Sequence, residues 1–358
     1  MRNLTPLLRW SAVHVNWRAM EGSEQHLPVQ PESTSPATPP PQSGIRFVFF
    51  NQRELRAGWR LLIYLVLAYL VAFLVSLLAR GRAPGIAGGL TPRFVFASHG
   101  SLLLIVLIPA LLMARWEQRT VGQYGLPVTL RAALGKNFWL GVAWGLISLT
   151  CLLIVLRLSG SFLFGQIGIT AQAAIRYGLL WGVAFFLVGV AEEFMFRGYI
   201  QFTLTSGLTF LGNGWGFLAA AIVTSLLFAV AHTGNTGESL LGLGTVVAIG
   251  LFFAFTLWRT GSLWFAIGLH ASWDWAQTFL YGVPNSGVVA KGHLLNPTIQ
   301  GAHWLSGGSV GPEGSALMYP LILVTFLIFD RTFTRESRYP ALTRATPLAL
   351  PTTPSTPI

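Results

Sequence analysis

Charged residues are scarce in this sequence. Asp, Glu, Lys and Arg make up 10% of its 358 residues, whereas hydrophobic residues make up 53%. Globular soluble domains carry about 25% charged residues, so the composition excludes an ordinary soluble protein. Several apolar runs approach the roughly 20 residues that span about 30 Å of hydrocarbon, and they are continuous, unlike barrel strands, which alternate. The sequence therefore predicts an all-α, polytopic transmembrane helical bundle.

Cysteine is almost absent as well. The one cysteine, Cys151, lies in an apolar run, which excludes an intramolecular disulfide and a cysteine-rich metal site. We interpret Cys151 as a small buried hydrophobic residue. Acidic residues are also few, and 23 Lys and Arg against 12 Asp and Glu give a formal charge of +11. Because the basic residues flank the apolar runs, we expect the lipid bilayer, and no nucleic acid, as their partner.

About eight spans are predicted from runs of the length that a bilayer requires. They lie near residues 59–79, 95–115, 138–157, 177–197, 217–232, 239–258, 262–282 and 315–331. Basic residues are more frequent on the side of the N-terminus, which predicts an integral, multi-pass protein with both termini cytoplasmic. A transmembrane domain at 44–331 would then lie between two Pro/Ser/Thr-rich tails, 1–43 and 332–358, which we expect to be disordered.

Ionisable side chains within the predicted spans are concentrated in three segments. An ionisable residue inside a membrane costs about 2.5–3.5 kcal/mol on insertion scales, so each one is a functional hypothesis. The segments read "EEFMFR", "FAVAH" and "GLHASWD", and their ionisable residues are Glu192, Glu193, Arg197, His232, His270 and Asp274. The alternative is that they form neutral pairs that only fix helix packing. Both Glu193 with Arg197 and His270 with Asp274 have the necessary spacing of four residues.

The two adjacent glutamates are predicted to have different roles. Neighbouring residues lie about 100° apart around a helix. If Arg197 holds Glu193, then Glu192 points elsewhere without a local counter-ion and is free to act as a general base. His232 and His270 are its natural partners. One difficulty is depth, because the predicted spans place Glu192 near the cytoplasmic end of the fourth and His232 near the outer end of the fifth. A fourth helix that continues to about Leu204 would bring them together.

The three segments also carry a family resemblance. They fit EExxxR, FxxxH and HxxxN/D in that order. The chain thereby resembles the CPBP family of intramembrane proteases (CAAX protease and bacteriocin-processing, or Abi), which includes the type II CAAX prenyl endopeptidase. The resemblance covers about residues 176–282. It implies an integral membrane endopeptidase acting on membrane-associated peptides or proteins, CAAX-type prenylated ones among them.

The resemblance also implies roles for individual residues. Glu192 and His232 would activate the attacking water, and His270 and Asp274 would stabilise the oxyanion. Glu193 and Arg197 would support the site. The family has been described both as metalloproteases and as metal-free glutamate proteases, so a divalent metal such as zinc is one alternative and no cofactor is the other. With a metal, the candidate ligands are Glu192, His232, His270 and Asp274, although no HExxH motif occurs.

Asp274 departs from the asparagine that the family often has at this position. An asparagine side chain donates a hydrogen bond to a developing oxyanion, whereas an ionised aspartate cannot. Asp274 is therefore protonated, orients His270 or helps to bind a metal, and the sequence leaves these three alternatives open.

Two other functions are compatible with the same residues. Intramembrane carboxylates and histidines also build the proton relays of transporters, but we find no inverted repeat of the kind that transporters have. A non-catalytic membrane scaffold is the third alternative. We assign no chemistry to the remaining histidines, and we expect His99 to lie at a membrane interface. They are His14, His26, His99, His293 and His303.

Overall fold

The structure is a computed structural model that describes residues 49–51, 54–79, 90–333 and 338–339. The predicted N-terminal tail lies outside the described residues, as does most of the predicted C-terminal tail. Within the latter, Tyr339 is buried, and the Arg338 N–H donates to the carbonyl of Trp258. These two residues therefore pack on the helical domain.

The described chain is almost entirely helical. In chain order, the helices are α1 (Ala57–Ala79), α2 (Pro92–Trp116), α3 (Leu130–Ala133), α4 (Lys136–Leu158), α5 (Ala171–Met195), α6 (Gln201–Gly207), α7 (Asn213–His232), α8 (Leu240–Thr260), α9 (Trp264–Trp275), α10 (His303–Ser306) and α11 (Met318–Thr332). The strands are β1 (Phe50–Asn51), β2 (Glu54–Leu55), β3 (Phe162–Leu163) and β4 (Thr298–Ile299). They form two short antiparallel pairs, β1 with β2 and β3 with β4.

The membrane-spanning architecture agrees with the prediction. Among the described residues, six helical stretches are long and apolar enough to cross a membrane: Ala57–Ala79, Pro92–Trp116, Leu130–Leu158, Ala171–Gly207, Asn213–His232 and Leu240–Thr260. Helices α9 and α11 are shorter, and they lie where the seventh and eighth spans were predicted. The all-α, polytopic fold class is confirmed, and the predicted number of about eight spans fits roughly.

The fourth span is longer than predicted. The helical stretch does not stop near Arg197: α5 is followed directly by a π-helical turn, Phe196–Ile200, and then by α6, so that it reaches Gly207. Gly198 in this turn has non-helical backbone angles, with φ −78° and ψ −117°. A Cβ atom there would lie 2.7 Å from the ring of Phe194, so the turn needs a glycine. The extension places Glu192 well inside the helical stretch and not at its end. The predicted obstacle to a meeting of Glu192 and His232 is thereby removed.

Helices α5 and α9 lie in the centre of the bundle. Helix α9 packs against both α4 and α5, α2 packs against α5, and α7 packs against α8. The α4–α9 contact is very close, because Cβ atoms on Gly141 and Gly145 would collide with the backbone carbonyls of Phe265 and Leu269. These two glycines, spaced four residues apart, therefore allow the two helices to approach closely.

Cys151 does not lie where the sequence analysis placed it. The inward face of α4 carries Leu149, Leu152, Leu153 and Leu156, and Cys151 falls on the opposite, exposed face. The prediction of a buried cysteine was wrong because an apolar run in a membrane helix has a lipid-facing side as well as a buried one.

A long connection, residues 281–317, joins α9 to α11 and covers one end of the bundle. Its strand β4 pairs with β3, which follows α4. Single bridges also join it to Leu90, just before α2, and to Ile167, just before α5. We call residues 281–317 the cap loop. Its attachments fix it over the end of the bundle where α2 and α5 begin.

Candidate active site

A cavity of about 570 Å³ lies among the central helices and the cap loop. All four residues predicted to be catalytic line it: Glu192, His232, His270 and Asp274. They come from three helices, α5, α7 and α9. Helix packing therefore brings these residues together in space, although they are far apart in the sequence.

Glu192 lies in the last turn of α5 and is partly exposed to the cavity. One carboxylate oxygen, Oε1, lies 3.2 Å from Nε2 of His99. The other, Oε2, lies 3.8 Å from Nε2 of His270. The carboxylate thus lies between two histidines from different helices, with 18% of its side chain accessible.

Glu193 points away from Glu192 and is completely buried. Its Oε1 accepts a hydrogen bond from Nη1 of Arg197 at 3.2 Å and contacts Nδ1 of His270 at 3.0 Å. The guanidinium of Arg197 also lies over the Phe228 ring, 4.4 Å from its centroid, a favourable cation–π geometry. The two glutamates therefore have the separate environments that the 100° helical rotation predicts.

His270 connects the carboxylates of the site. Its Nδ1 faces Glu193, whereas its Nε2 lies 3.6 Å from Oδ2 of Asp274 and 3.8 Å from Glu192. Its ring stacks on Phe253, with centroids 5.7 Å apart. Both ring nitrogens face carboxylate oxygens, so each serves as an N–H donor when it is protonated. The stacking and the buried contact to Glu193 fix the orientation of the ring.

His232 lies at the C-terminal end of α7. Its Nδ1 lies 2.8 Å from the backbone carbonyl of Phe228, one turn earlier, and a carbonyl can only accept, so Nδ1 carries the hydrogen. In the neutral ring this leaves Nε2 as a free acceptor. Among the described residues, no direct hydrogen bond joins His232 to Glu192. They share the cavity, where a water molecule can bridge them.

Two further ionisable residues of the cavity were missed by the sequence analysis. His99, to which the sequence analysis assigned no chemistry, lines the cavity beside Glu192. His99 could have been recognised from the sequence, because it is an ionisable residue within a predicted span. We assigned it no chemistry because it lies close to one end of that span. The second residue is Glu313 in the cap loop, which a search for charges inside spans could not find.

Glu313 is held by the cap loop and α9 together. Its Oε1 accepts a hydrogen bond from the backbone N–H of Ser286 at 2.7 Å. Its Oε2 accepts from the side-chain amide of Gln277, in the π-helical turn Ala276–Leu280 that follows α9. Burial raises the pKa of Glu313 to about 8, although the hydrogen bond from Ser286 acts in the opposite direction.

The donor set of this cavity does not fit a metal centre. In the part of the chain that the structure describes, no group of three or more His, Cys, Asp or Glu side chains is arranged to hold a metal ion. Nδ1 of His270 contacts Glu193 and Nδ1 of His232 contacts a backbone carbonyl, so only the Nε2 atoms of these two rings remain as candidate nitrogen ligands. A zinc site needs three or four nitrogen, sulfur or oxygen donors at about 2 Å from one point, and although the four candidate ligands share the cavity, the described residues form no such group.

Comparison with known protein families agrees with the resemblance seen in the motifs. The family model described as Type II CAAX prenyl endopeptidase Rce1-like matches residues 173–276. This segment contains all six ionisable residues of the three motifs, and it lies close to the predicted range of 176–282. The match supports the CPBP resemblance and indicates a protease. No curated protein and no solved structure matches the chain.

Proposed function

We propose that this protein is an intramembrane endopeptidase that hydrolyses peptide bonds of membrane-associated substrates. The observation that carries the proposal is the convergence of Glu192, His232, His270 and Asp274 on one cavity between α5, α7 and α9. Peptide hydrolysis in a membrane requires a space for water beside a general base, and this cavity offers both.

Glu192 and His232 are the residues proposed to activate the water. Glu192 supplies a carboxylate oxygen to accept a proton from the water. His232 supplies Nε2, because its Nδ1 is held by the carbonyl of Phe228. The water then attacks the scissile carbonyl carbon. The proton taken from it is passed to the leaving amine, so that one water adds across the broken C–N bond.

His270 and Asp274 are proposed to stabilise the oxyanion that forms on the scissile carbonyl. Donors that are already oriented before reaction are worth about 10²–10³ in rate each. His270 is oriented by Glu193 and by stacking on Phe253. In the metal-free mechanism that we favour, Asp274 donates in its protonated form. Glu193 and Arg197 act as supports, since they hold His270 without reaching the cavity themselves.

The rest of the cavity lining suits an apolar substrate. The hydrophobic side chains come from α2, α5, α7 and α8 and include Phe94, Val188, Met195, Phe228, Val246 and Ile249. Ligand sites of this kind bury apolar groups on their walls and use a few polar groups for orientation. We therefore propose membrane-associated peptides, CAAX-type prenylated ones among them, as the substrate class, with both termini of the protein in the cytoplasm.

Cleavage by the purified protein tests the proposal. Prenylated and unprenylated peptides of the same sequence are incubated with the detergent-solubilised protein, and the products are identified by mass spectrometry. We expect cleavage that Glu192→Gln lowers by about 10²–10⁴-fold, the scale of a general base. Glu238→Gln is the matched control, because Glu238 lies in the loop between α7 and α8 and does not line the cavity.

The same experiment separates the alternatives. Uptake of a solute by vesicles that contain the protein, without cleavage of any peptide, would favour a transporter. Cleavage that persists unchanged in Glu192→Gln would show that the carboxylate is not the base.

A further inference from the structure

His99, which contacts Glu192, lies outside the three motifs and outside the segment that the family model matches. His99 is in α2, whereas the matched segment begins at residue 173. Helices α2 and α5 pack against each other, and here a Cβ atom added to Gly100 would be in ordinary van der Waals contact with Leu187, at 3.9 Å. The packing brings Nε2 of His99 within 3.2 Å of Glu192, and among the described residues this is the shortest polar contact of the Glu192 side chain.

We propose that His99 is a positioning residue for the proposed reaction: its ring holds Oε1 of Glu192, so that Oε2 faces His270 and the cavity. This inference rests on the proposed role of Glu192 as the base. A hydrogen bond to one oxygen restrains the rotation of a carboxylate, and the position of the other oxygen is then restrained as well. Without His99, the side chain of Glu192 is free to rotate towards other donors.

Hydrogen-bond chemistry makes His99 the donor in this contact. An ionised carboxylate only accepts, so Nε2 of His99 must carry a hydrogen. Nδ1 of the same ring lies 3.1 Å from Oγ of Ser98. Ser98 also lies 2.9 Å from the carbonyl of Phe94. If its hydroxyl donates to that carbonyl, Ser98 accepts from Nδ1–H. If it donates to Nδ1, the ring is neutral with its hydrogen on Nε2. In both arrangements Nε2–H points at Glu192.

A purely structural role for His99 does not explain its surroundings. The ring is 23% exposed, and it lines the cavity instead of filling a closed core. A side chain that only filled space at an α2–α5 contact would need no polar partner on each nitrogen. The contact with Ser98 orients the ring of His99. The ring in turn orients the carboxylate of Glu192. Such outer hydrogen-bond partners are how proteins fix the orientation of catalytic groups.

Three substitutions at His99 test the proposal. A glutamine places its amide nitrogen near the position of Nε2, an asparagine has a donor but is too short to reach Glu192, and a leucine has no donor. We expect His99→Asn and His99→Leu to lower kcat by about 10- to 100-fold, the scale of a hydrogen bond to a charged group. KM should change little, and His99→Gln should retain most of the activity.

The matched control is His303→Gln in the exposed part of the cap loop, which should keep the wild-type kcat. Melting temperatures of all variants are measured in the same detergent. A wild-type kcat in His99→Leu would overturn the proposal. Equal losses of kcat in the Gln, Asn and Leu variants, with equal falls in melting temperature, would overturn it too, because the volume of the ring and not its donor would then matter.

A second measurement does not depend on turnover. In protein labelled with ¹⁵N-histidine, the ring resonance that disappears in His99→Gln identifies His99. Glu192→Gln should shift this resonance, whereas Glu238→Gln should leave it in place. If the wild-type protein cleaves peptides but Glu192→Gln leaves the His99 resonance unshifted, the proposed contact is overturned. If Glu192→Gln shifts the His99 resonance but the wild-type protein cleaves no peptide, the contact is supported. Only the proposed function is then overturned.

Discussion

Substitution of Glu193 should damage the fold, whereas substitution of Glu192 should damage only the chemistry. Glu193 is the anionic partner of Arg197, and both side chains are completely buried. Among the described residues, Nε and Nη2 of Arg197 have no hydrogen-bond partner. The change Glu193→Gln removes the negative charge and leaves the buried guanidinium without its ionic partner.

The magnitude follows from the burial of this pair. Removing one partner of a buried ion pair costs about 3–5 kcal/mol, because the remaining charge is left uncompensated. For a large domain this corresponds to a fall in melting temperature of roughly 10 °C. Activity should fall as well, because His270 loses the carboxylate that orients its Nδ1 at 3.0 Å.

The companion variant Glu192→Gln should behave differently. Its side chain keeps the same shape and is partly exposed to the cavity. The glutamine offers its amide oxygen to Nε2–H of His99 and its amide N–H to Nε2 of neutral His270. We expect a melting temperature within a few degrees of the wild type, since substitutions that keep such contacts change stability by about 1 kcal/mol or less. Cleavage should nevertheless be lost.

Thermal unfolding of both variants in one detergent, followed by fluorescence and by size-exclusion chromatography, gives the comparison. Peptide cleavage is measured on the same preparations. Equal melting temperatures together with equal activities would refute the division of roles between the two glutamates. If Glu192→Gln were destabilised and Glu193→Gln were as stable as the wild type, the two glutamates would have the opposite roles.

Two further predictions concern the other carboxyl groups of the cavity. In a metal-free site, Asp274→Asn should retain or raise activity because asparagine always donates; inactivity of this variant, with a stoichiometric metal in the wild type by elemental analysis, would contradict that. Folded Glu313 keeps its proton up to a pKa of about 8, against 4.5 for the free group, so this group's stabilisation is complete below about pH 4.5 and is lost as the pH rises through 8. The slope is about 1.4 kcal/mol per pH unit at most, and water in the cavity reduces it. Melting temperatures from about pH 5 to 9 should show a slope that Glu313→Gln removes and Glu238→Gln does not; an identical slope in Glu313→Gln would exclude Glu313 as its source.

Helix spacing and charge scarcity were sufficient to predict the helical architecture and the residues of the three motifs. Glu192 and Glu193 differ in environment because adjacent residues on a helix must face different directions, and this is visible in the sequence. The pairing of Glu193 with Arg197 follows from the same geometry. These features are local, and each depends on one helix only.

Features that depend on two helices or on a loop were not predictable in this way. His99 reaches Glu192 only because α2 packs on α5, and no spacing within either helix contains that information. Glu313 enters the cavity through the cap loop, just before the predicted span 315–331 and outside every predicted span. Cys151 shows a third limit, since a uniformly apolar helix gives no periodic signal of which side faces its neighbours.

Both helices that supply the glutamates and Asp274 change to a wider turn directly after these residues. In α5 the π-helical turn Phe196–Ile200 comes after the two glutamates, and in α9 the turn Ala276–Leu280 comes after Asp274. Such turns are rare, and they occur frequently at functional sites. The extra residue in such a turn changes the direction in which the following side chains point, compared with a regular helix. In the turn that follows α9, Gln277 lies between Trp273 and Glu313 and is hydrogen-bonded to both. The sequence signals the first turn by Gly198, where a larger side chain would meet Phe194. The cavity therefore depends on two local departures from the regular helix that periodicity assumes.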